Sequence, residues 1–204
     1  MAVVSDIREN RGIVEIALEG APALRVRRAH YQKCPLEPGA EVDVEAYLER
    51  LAAVQFADGY EAALSSLDFC ARSGREIANS LRRKGYVQPC VDAVVARLTE
   101  NGLIDDARYA QRMAEVQSTK AVGRYAFKRK LKAKGISDDD AEEALAAFDD
   151  AQQQAAALEA ARKLWRKYEG LPPREARGKL SQALARRGFG WDAIESAVEA
   201  LVEE

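Results

Sequence analysis

Apolar residues recur along this chain with two different periods. In the first 45 residues they alternate with polar ones: Ile13-Val14-Glu15-Ile16-Ala17-Leu18 and Ala23-Leu24-Arg25-Val26-Arg27 flank Glu19-Gly20-Ala21-Pro22, the pattern of a short β-hairpin. Pro35, Pro38 and Gly39 then break the chain ahead of Val42-Asp43-Val44, and a helix is predicted from Glu45 to Val54. From about Tyr60 onward the period becomes three to four, in a sequence rich in Ala, Leu, Arg, Lys and Glu with turn residues only at intervals. The remainder is therefore predicted to be nearly all helix.

That helical part repeats. Anchored on Gly85, Gly135 and Gly188, three segments align without a gap: Leu81, Leu131 and Leu184 stand four residues before the glycine, and Ile77, Phe127 and Leu180 eight before it. Tyr86, Ile136 and Phe189 follow the glycine directly; Val91, Ala141 and Ile194 come six after, Val95, Leu145 and Val198 ten after, and Leu98, Phe148 and Leu201 thirteen after. The later set marks one face of a helix, and the earlier pair one face of the helix before it. The glycine is the hinge, a left-handed helix stop preceded each time by a basic residue, Lys84, Lys134 or Arg187. Start signals agree: Ser73 with Glu76 forms a capping box, Ser137 precedes Asp138-Asp139-Asp140, and Pro89 suits the first turn of a helix.

A further helix is predicted upstream of each hinge pair, over Ala62 to Arg72, Asp106 to Gln117 and Gln152 to Tyr168. Their apolar stripes are Leu64/Leu67, Tyr109/Met113/Val116 and Leu158/Ala161/Leu164/Trp165. The expected fold is mainly α, a tandem array of three three-helix repeats with a short N-terminal β-containing segment. The predicted division is 1–59 for the hairpin segment and linker helix, then repeats at 60–104, 105–150 and 151–204.

Chemistry is mostly excluded. Cys34, Cys70 and Cys90 form no CxxC pair and are expected to be reduced and mostly buried. His30, the single histidine, has no second ligand nearby and is expected at the surface, which argues against a zinc site or a Ser-His-Asp triad. No GxxxxGK[ST] occurs, and Gly188-Phe189-Gly190 follows a basic helical segment instead of a strand. The expectation is a non-enzyme without metal or cofactor. No apolar stretch approaches bilayer length and the first ten residues lack the features of a secretory signal, so a soluble, cytoplasmic protein is expected, with no membrane partner.

Charge changes the picture. The chain of 204 residues carries 31 Lys+Arg and 33 Asp+Glu, a net charge of -2, yet the signs are segregated. Residues 72–134 carry a net +9 and 162–188 a net +7, whereas 135–161 carry -8 and 189–204 and 1–71 carry -5 each. Lys128-Arg129-Lys130, Lys132 and Lys134 form the densest basic cluster, preceded by Lys120, Arg124 and Tyr125. Complementation of helix dipoles and pairing between neighbouring helices accounts for part of this pattern. The rest suits either a phosphate backbone or a protein displaying the opposite pattern, and composition does not choose between them.

Arg72-Ser73 with Glu76, Leu81-Arg82-Arg83-Lys84-Gly85, Leu103-Ile104-Asp105-Asp106-Ala107-Arg108-Tyr109-Ala110, Gly123-Arg124 and Leu131-Lys132-Ala133-Lys134-Gly135-Ile136 together resemble the RecX family of recombinase regulators. The resemblance spans essentially the whole helical part, whereas the N-terminal segment adds little to it. It implies a bacterial cytoplasmic protein, expected to be monomeric, that binds RecA along the groove of its filament on single-stranded DNA. It also implies lowered RecA ATPase, strand-exchange and co-protease activities in DNA repair and the SOS response, with weak direct DNA binding. The competing reading is a DNA-binding helical-repeat protein that acts independently of RecA.

Candidate contacts to RecA or DNA are Arg72, Arg75, Arg82, Arg83, Lys84, Arg108, Arg112, Lys120, Arg124, Lys128, Arg129, Lys130, Lys132 and Lys134. Arg108 and Arg112 lie four residues apart on one helix face and are expected to stay exposed. Asp105 is expected to cap the helix that holds Tyr109, Tyr109 to lie in the core, and Trp165 and Trp191 to serve packing.

Overall fold

The computed structural model describes residues 1–118, 120 and 122–202; Glu203 and Glu204, the last charges of the C-terminal acidic run, lie outside the described residues. Two compact units are resolved, Met1–Asp105 and Asp106–Glu204.

The first unit opens with strands β1 (Ala2–Asn10), β2 (Ile13–Glu19) and β3 (Leu24–Arg27), followed by the short helix α1 (Arg28–Tyr31) and strand β4 (Glu41–Val42). The four strands form one antiparallel sheet in the order β3-β2-β1-β4. The predicted hairpin is present as β2 and β3, with Ile13 opposite Arg27 and Ile16 opposite Leu24. Strand β1, which the alternation of apolar residues does not announce, fills the centre of the sheet.

Helices α2 (Val44–Phe69), α3 (Gly74–Arg83) and α4 (Gln88–Glu100) complete the unit. The predicted linker helix and the predicted first helix of repeat 1 are one continuous 26-residue helix, which runs through residues 59 and 60. Gly59 is a close approach inside the helix. A β-carbon there would stand 3.3 Å from both Cys90 Sγ and Tyr86 Cε1. The sheet is part of the helical core. Val4, Val14, Ile16 and Val26 share one core with Tyr47 and Leu51 of α2 and with Ile77, Leu81, Val91, Val94 and Leu98 of α3 and α4. Burying each such aliphatic side chain contributes about 1.5–3 kcal/mol.

The second unit consists of α5 (Asp106–Ser118), α6 (Arg124–Ala133), α7 (Asp138–Leu145), α8 (Asp150–Trp165), α9 (Pro173–Arg186) and α10 (Trp191–Val202). Phe127, Leu131, Ile136, Ala141 and Phe148 form one of its cores, and Leu180, Leu184, Phe189, Ile194 and Leu201 the other.

The three hinge glycines have φ of +83°, +84° and +82°. At each, the residue after the glycine donates its N–H back to the carbonyl of the leucine that stands four residues before the glycine: Tyr86 to Leu81, Ile136 to Leu131 and Phe189 to Leu184. This Schellman geometry consumes the orphan carbonyls of α3, α6 and α9 and tucks the next apolar residue under the helix end. Gly102, with φ +67°, closes α4 the same way, Leu103 N–H donating to the Leu98 carbonyl. The capping box at Ser73 and Glu76, the Ser137 cap of α7 and Pro89 in the first turn of α4 all stand as the sequence predicts.

Burial refines the predicted faces. Buried positions recur six, nine and thirteen residues after each glycine, so Val94, Ala144 and Ala197 lie inside; of the positions ten after, Val198 is buried while Val95 and Leu145 sit at the rim. In each first helix the innermost seam is made of small residues: Gly59 and Ala63 in α2, Ala110 and Ala114 in α5, Ala157, Ala160 and Ala161 in α8. Those helices pack against α4, α7 and α10, and a seam without bulk brings the backbones close. The predicted large residues flank that seam, and Val116 is 61% exposed.

Two further expectations are corrected. His30 is 1% exposed, because α1 turns it inward against the ring of Tyr86 at 5.6 Å and onto Asp58 of α2. Trp191 is 68% exposed, because Phe189 already fills the inward position after the Gly188 hinge. Cys90 is buried and Cys34 half-buried, but Cys70 is exposed where α2 ends.

Candidate functional site

The basic residues come from local rules of helix formation. Cations gather in the last turns of α3 and α6, where they complement the carbonyl ends, and acidic residues stand in the first turns of α7, α8 and α10. What matters for function is which of them the fold itself consumes.

On α3, Arg82 is tied down: its Nε donates to Gln88 Oε1 at 2.7 Å and its Nη1 to Asn79 Oδ1 at 2.9 Å. Arg75, Asn79 and Arg82 share one face of the helix and, with Asp92, Val95 and Ala96 of α4, line an open groove of ≈ 540 Å³. Arg72, half-buried before α3, donates from Nε to the Ser66 carbonyl at 3.4 Å. Arg83 and Lys84 are exposed at the end of the helix. Beneath them the buried Gln55 of α2 clamps the turn, donating from Nε2 to the Gly85 carbonyl at 3.1 Å and accepting from Val87 N–H at 2.8 Å.

On α6 the cations divide into two groups. Arg124 pairs with Asp150 and donates to the Phe148 carbonyl, Lys128 pairs with Glu142, and Lys132 pairs with Asp138 at 2.8 Å. Their effects on ionisation follow: the Glu142 carboxylate holds the Lys128 ammonium above its ordinary pKa, and the Lys132 ammonium holds the Asp138 carboxyl below the usual carboxylate range. Lys134 lies over the ring of the half-buried Tyr109, 5.4 Å from its centroid. These four join α6 to α5, α7 and α8 and belong first to the fold. Arg129 and Lys130 are exposed; Lys130 makes no ion pair among the described residues, and Arg129 makes a long 3.4 Å bond to the Arg186 carbonyl. Arg108, Arg112 and Lys120 are exposed as well, the first two on the outer face of α5.

At the start of α6 a joint forms with α8 and α9. Gly123 N–H donates to the Arg187 carbonyl at 3.2 Å, Arg124 N–H to Gln153 Oε1 at 3.0 Å and Tyr125 N–H to the Gly188 carbonyl at 3.0 Å. Beside it, Arg124, Tyr125, Asp150, Gln154, Trp191 and Asp192 line a second groove of ≈ 340 Å³. Sequence reasoning misses Trp191 as a surface residue. The available signal is the nearby Phe189, which leaves no inward role for a second aromatic at the start of α10.

No group of three or more His, Cys, Asp or Glu side chains among the described residues could hold a metal ion. No helix among them is long and apolar enough to cross a membrane. The arrangement is one of charged and aromatic surfaces on helical repeats, suited to binding.

Comparison with known proteins agrees with that character. The family descriptions of the first, second and third three-helix domains of RecX match residues 60–98, 105–145 and 150–198. The chain is 30% identical over 202 residues to Regulatory protein RecX of Leuconostoc mesenteroides, covering 97% of this chain and 74% of that one. It is 28% identical over 202 residues to Regulatory protein RecX of Bacillus subtilis, covering 98% and 76%. Among solved structures, a crystal structure of regulatory protein RecX superposes with a TM-score of 0.67 at 28% identity, over 96% of this chain and 98% of the other. RecX from Lactobacillus salivarius gives a TM-score of 0.65 at 29% identity, over 74% and 99%.

Proposed function

This chain belongs to the RecX family, and on that premise we propose that it binds RecA in the groove of its filament on single-stranded DNA and lowers its ATPase, strand-exchange and co-protease activities. The observation that carries this reading is the near-full-length similarity to proteins called Regulatory protein RecX. The distribution of charge supports it. Once Arg124, Lys128 and Lys132 are paired within the repeats, the exposed Arg112, Lys120, Arg129, Lys130, Arg83 and Lys84 remain as the contacts for a partner. Tandem three-helix modules, divided near 60–104, 105–150 and 151–204, can each engage a successive part of a repeating filament. Several weak contacts then act together at raised effective concentration.

The mechanism requires no catalytic residue. A protein that binds one arrangement of filament subunits better than another shifts their equilibrium by its differential affinity, which slows turnover if the favoured arrangement is the inactive one. Occupying the groove also blocks access for incoming DNA and for a LexA-like substrate. On this reading the protein works in the bacterial cytoplasm as a monomer, without cofactor, in DNA repair and the SOS response.

A second reading, a DNA-binding helical-repeat protein acting independently of RecA, takes support from the exposed Arg83 and Lys84 at the end of α3, whose side chains suit phosphate contacts. One titration separates the two: the purified chain is added to RecA with single-stranded DNA and ATP, and binding to bare DNA is measured at the same salt. Inhibition of the ATPase near stoichiometric ratios with weak bare-DNA binding is expected. An unchanged ATPase at a large excess of the chain, with tight bare-DNA binding, overturns the first reading in favour of the second.

A further inference from the structure

The ≈ 340 Å³ groove beside the α6 joint has a chemistry unlike the basic surfaces. Tyr125 is 53% and Trp191 68% exposed, so two large aromatic faces stand in water at one place, where exposure is costly without a partner. They are held there by backbone. Tyr125 is the second residue of α6 and Trp191 the first of α10, and the Tyr125 ring lies in van der Waals range of Gly190, the residue before Trp191.

The charges around these rings are anionic. Asp150 and Asp192 are exposed, and they belong to the two segments, 135–161 and 189–204, that contain no Lys or Arg at all. Among the described residues, Arg124 is the one basic side chain lining the groove, and it is already engaged by Asp150 and the Phe148 carbonyl. Three helix N-termini meet nearby, which elsewhere would suit an anion, but the first donors of α6 are spent and α8 and α10 each carry a carboxylate, Asp150 and Asp192, in the first turn. The N–H groups of Gly123, Arg124 and Tyr125 go to Arg187, Gln153 and Gly188, and that of Gln152, in the first turn of α8, goes to Asp149. A phosphate backbone would meet the Asp150 and Asp192 carboxylates here.

Exposed aromatic faces beside carboxylates favour one kind of guest, a cationic side chain lying over a ring with its charge toward the acids. We propose that the Tyr125/Trp191 groove is a docking site for an arginine or lysine side chain of a partner protein, with Asp192 as its counter-charge. The inference takes the identity of the partner from the RecA reading, and the chemistry of the groove from this chain alone. It gives the protein two surfaces of opposite preference: exposed cations on α3, α5 and α6 for anions, and this groove for a cation.

The test uses the full chain with Trp191→Ala and Asp192→Lys made singly. Binding to RecA filaments on single-stranded DNA is measured by fluorescence anisotropy, beside binding to bare oligothymidine at the same salt. Each variant should melt as the parent does, bind filaments roughly tenfold more weakly, as truncation of an interface anchor does, and bind bare DNA unchanged. Filament binding unchanged in both variants overturns the groove and leaves the RecA reading standing. Bare-DNA binding that falls in Trp191→Ala and rises in Asp192→Lys overturns it in favour of a base-stacking surface. A parent chain that does not bind filaments overturns the RecA reading instead. The groove is then judged by titrating an arginine-containing peptide amide and following tryptophan fluorescence: saturable quenching that Asp192→Lys abolishes upholds it, and its absence overturns it.

Discussion

Gly123 and Gly188 meet backbone to backbone: a β-carbon on Gly123 would stand 2.0 Å from the carbonyl of Gly188, and one on Gly188 2.1 Å from the amide nitrogen of Ala126. The contact sets the first amides of α6 against the last carbonyls of α9, so each helix end satisfies the other. Gly102 offers the control, since its φ is also left-handed but a β-carbon there meets nothing within 4 Å. Gly102→Ala should cost only the backbone term, about 1–2 kcal/mol. Gly188→Ala should cost clearly more, because the backbone of α6 must move. Urea melts of the two variants check this, and equal losses would show that the joint contributes nothing.

The pair formed by His30 and Asp58 predicts an acid limb in the stability of the first unit. His30 Nε2 lies 2.7 Å from Asp58 Oδ2, and its buried Nδ1 has no partner among the described residues. The hydrogen bond from His30, aided by the nearby charges of His30, Lys33 and Arg27, holds the Asp58 carboxyl below the usual carboxylate range. A carboxyl depressed in the folded state stabilises above its unfolded pKa, about 4. That contribution is lost as pH falls through the lower folded value. Thermal melts from pH 6 down to pH 2 should therefore show a loss below about pH 4 that is smaller in Asp58→Asn. An identical acid limb in the variant refutes the assignment.

The cysteines separate by reactivity. Burial pushes the Cys90 thiol up to about 11, whereas Cys70 is exposed and Cys34 half-buried. Thiolate is the reactive form, so a maleimide near neutral pH should label Cys70 first and Cys90 only when the chain unfolds. Mass spectrometry after timed quenching reads the order. Labelling of Cys90 in the native protein at the rate of Cys70 would contradict the packing of α2 on α4.

The parts of the fold legible in sequence are those where geometry admits few residues. A left-handed stop after a helix requires glycine, so Gly85, Gly135 and Gly188 align the repeats, and Ile77, Phe127 and Leu180 fall into register behind them. Strand β1 is illegible for an equally physical reason. A register shift between Val4 and Asp6 puts its alternation out of phase, and the mixed sequence beyond it carries no clear period. The first helices are marked in sequence by their large residues, while the closest contacts are made by Gly59, Ala110, Ala114 and Ala157, whose small side chains leave no periodic signal. The same holds for the candidate site. Its basic residues are visible as a cluster, but which of them face Glu142, Asp138 and Asp150 depends on how α7 and α8 return against α6.

That division of the α6 cations yields the sharpest prediction about partner binding. Arg129 and Lys130 face solvent, so reversing both to Glu removes no ion pair seen among the described residues and should leave the melting temperature close to that of the parent. If they meet phosphates in the filament, affinity should fall and the slope of log affinity against log salt should shrink by about 1 for each phosphate no longer neutralised. Lys128 and Lys132 behave differently. Reversing them sets new anions against Glu142 and Asp138, and the like charges destabilise the packing of α6 on α7 before any partner is present. The expected signature is a lowered melting temperature for Lys128→Glu with Lys132→Glu, and an unchanged one with weakened, less salt-sensitive filament binding for Arg129→Glu with Lys130→Glu. The inverse result, full filament binding after reversal of Arg129 and Lys130, would move the contact surface off α6 and onto the exposed arginines of α3 and α5.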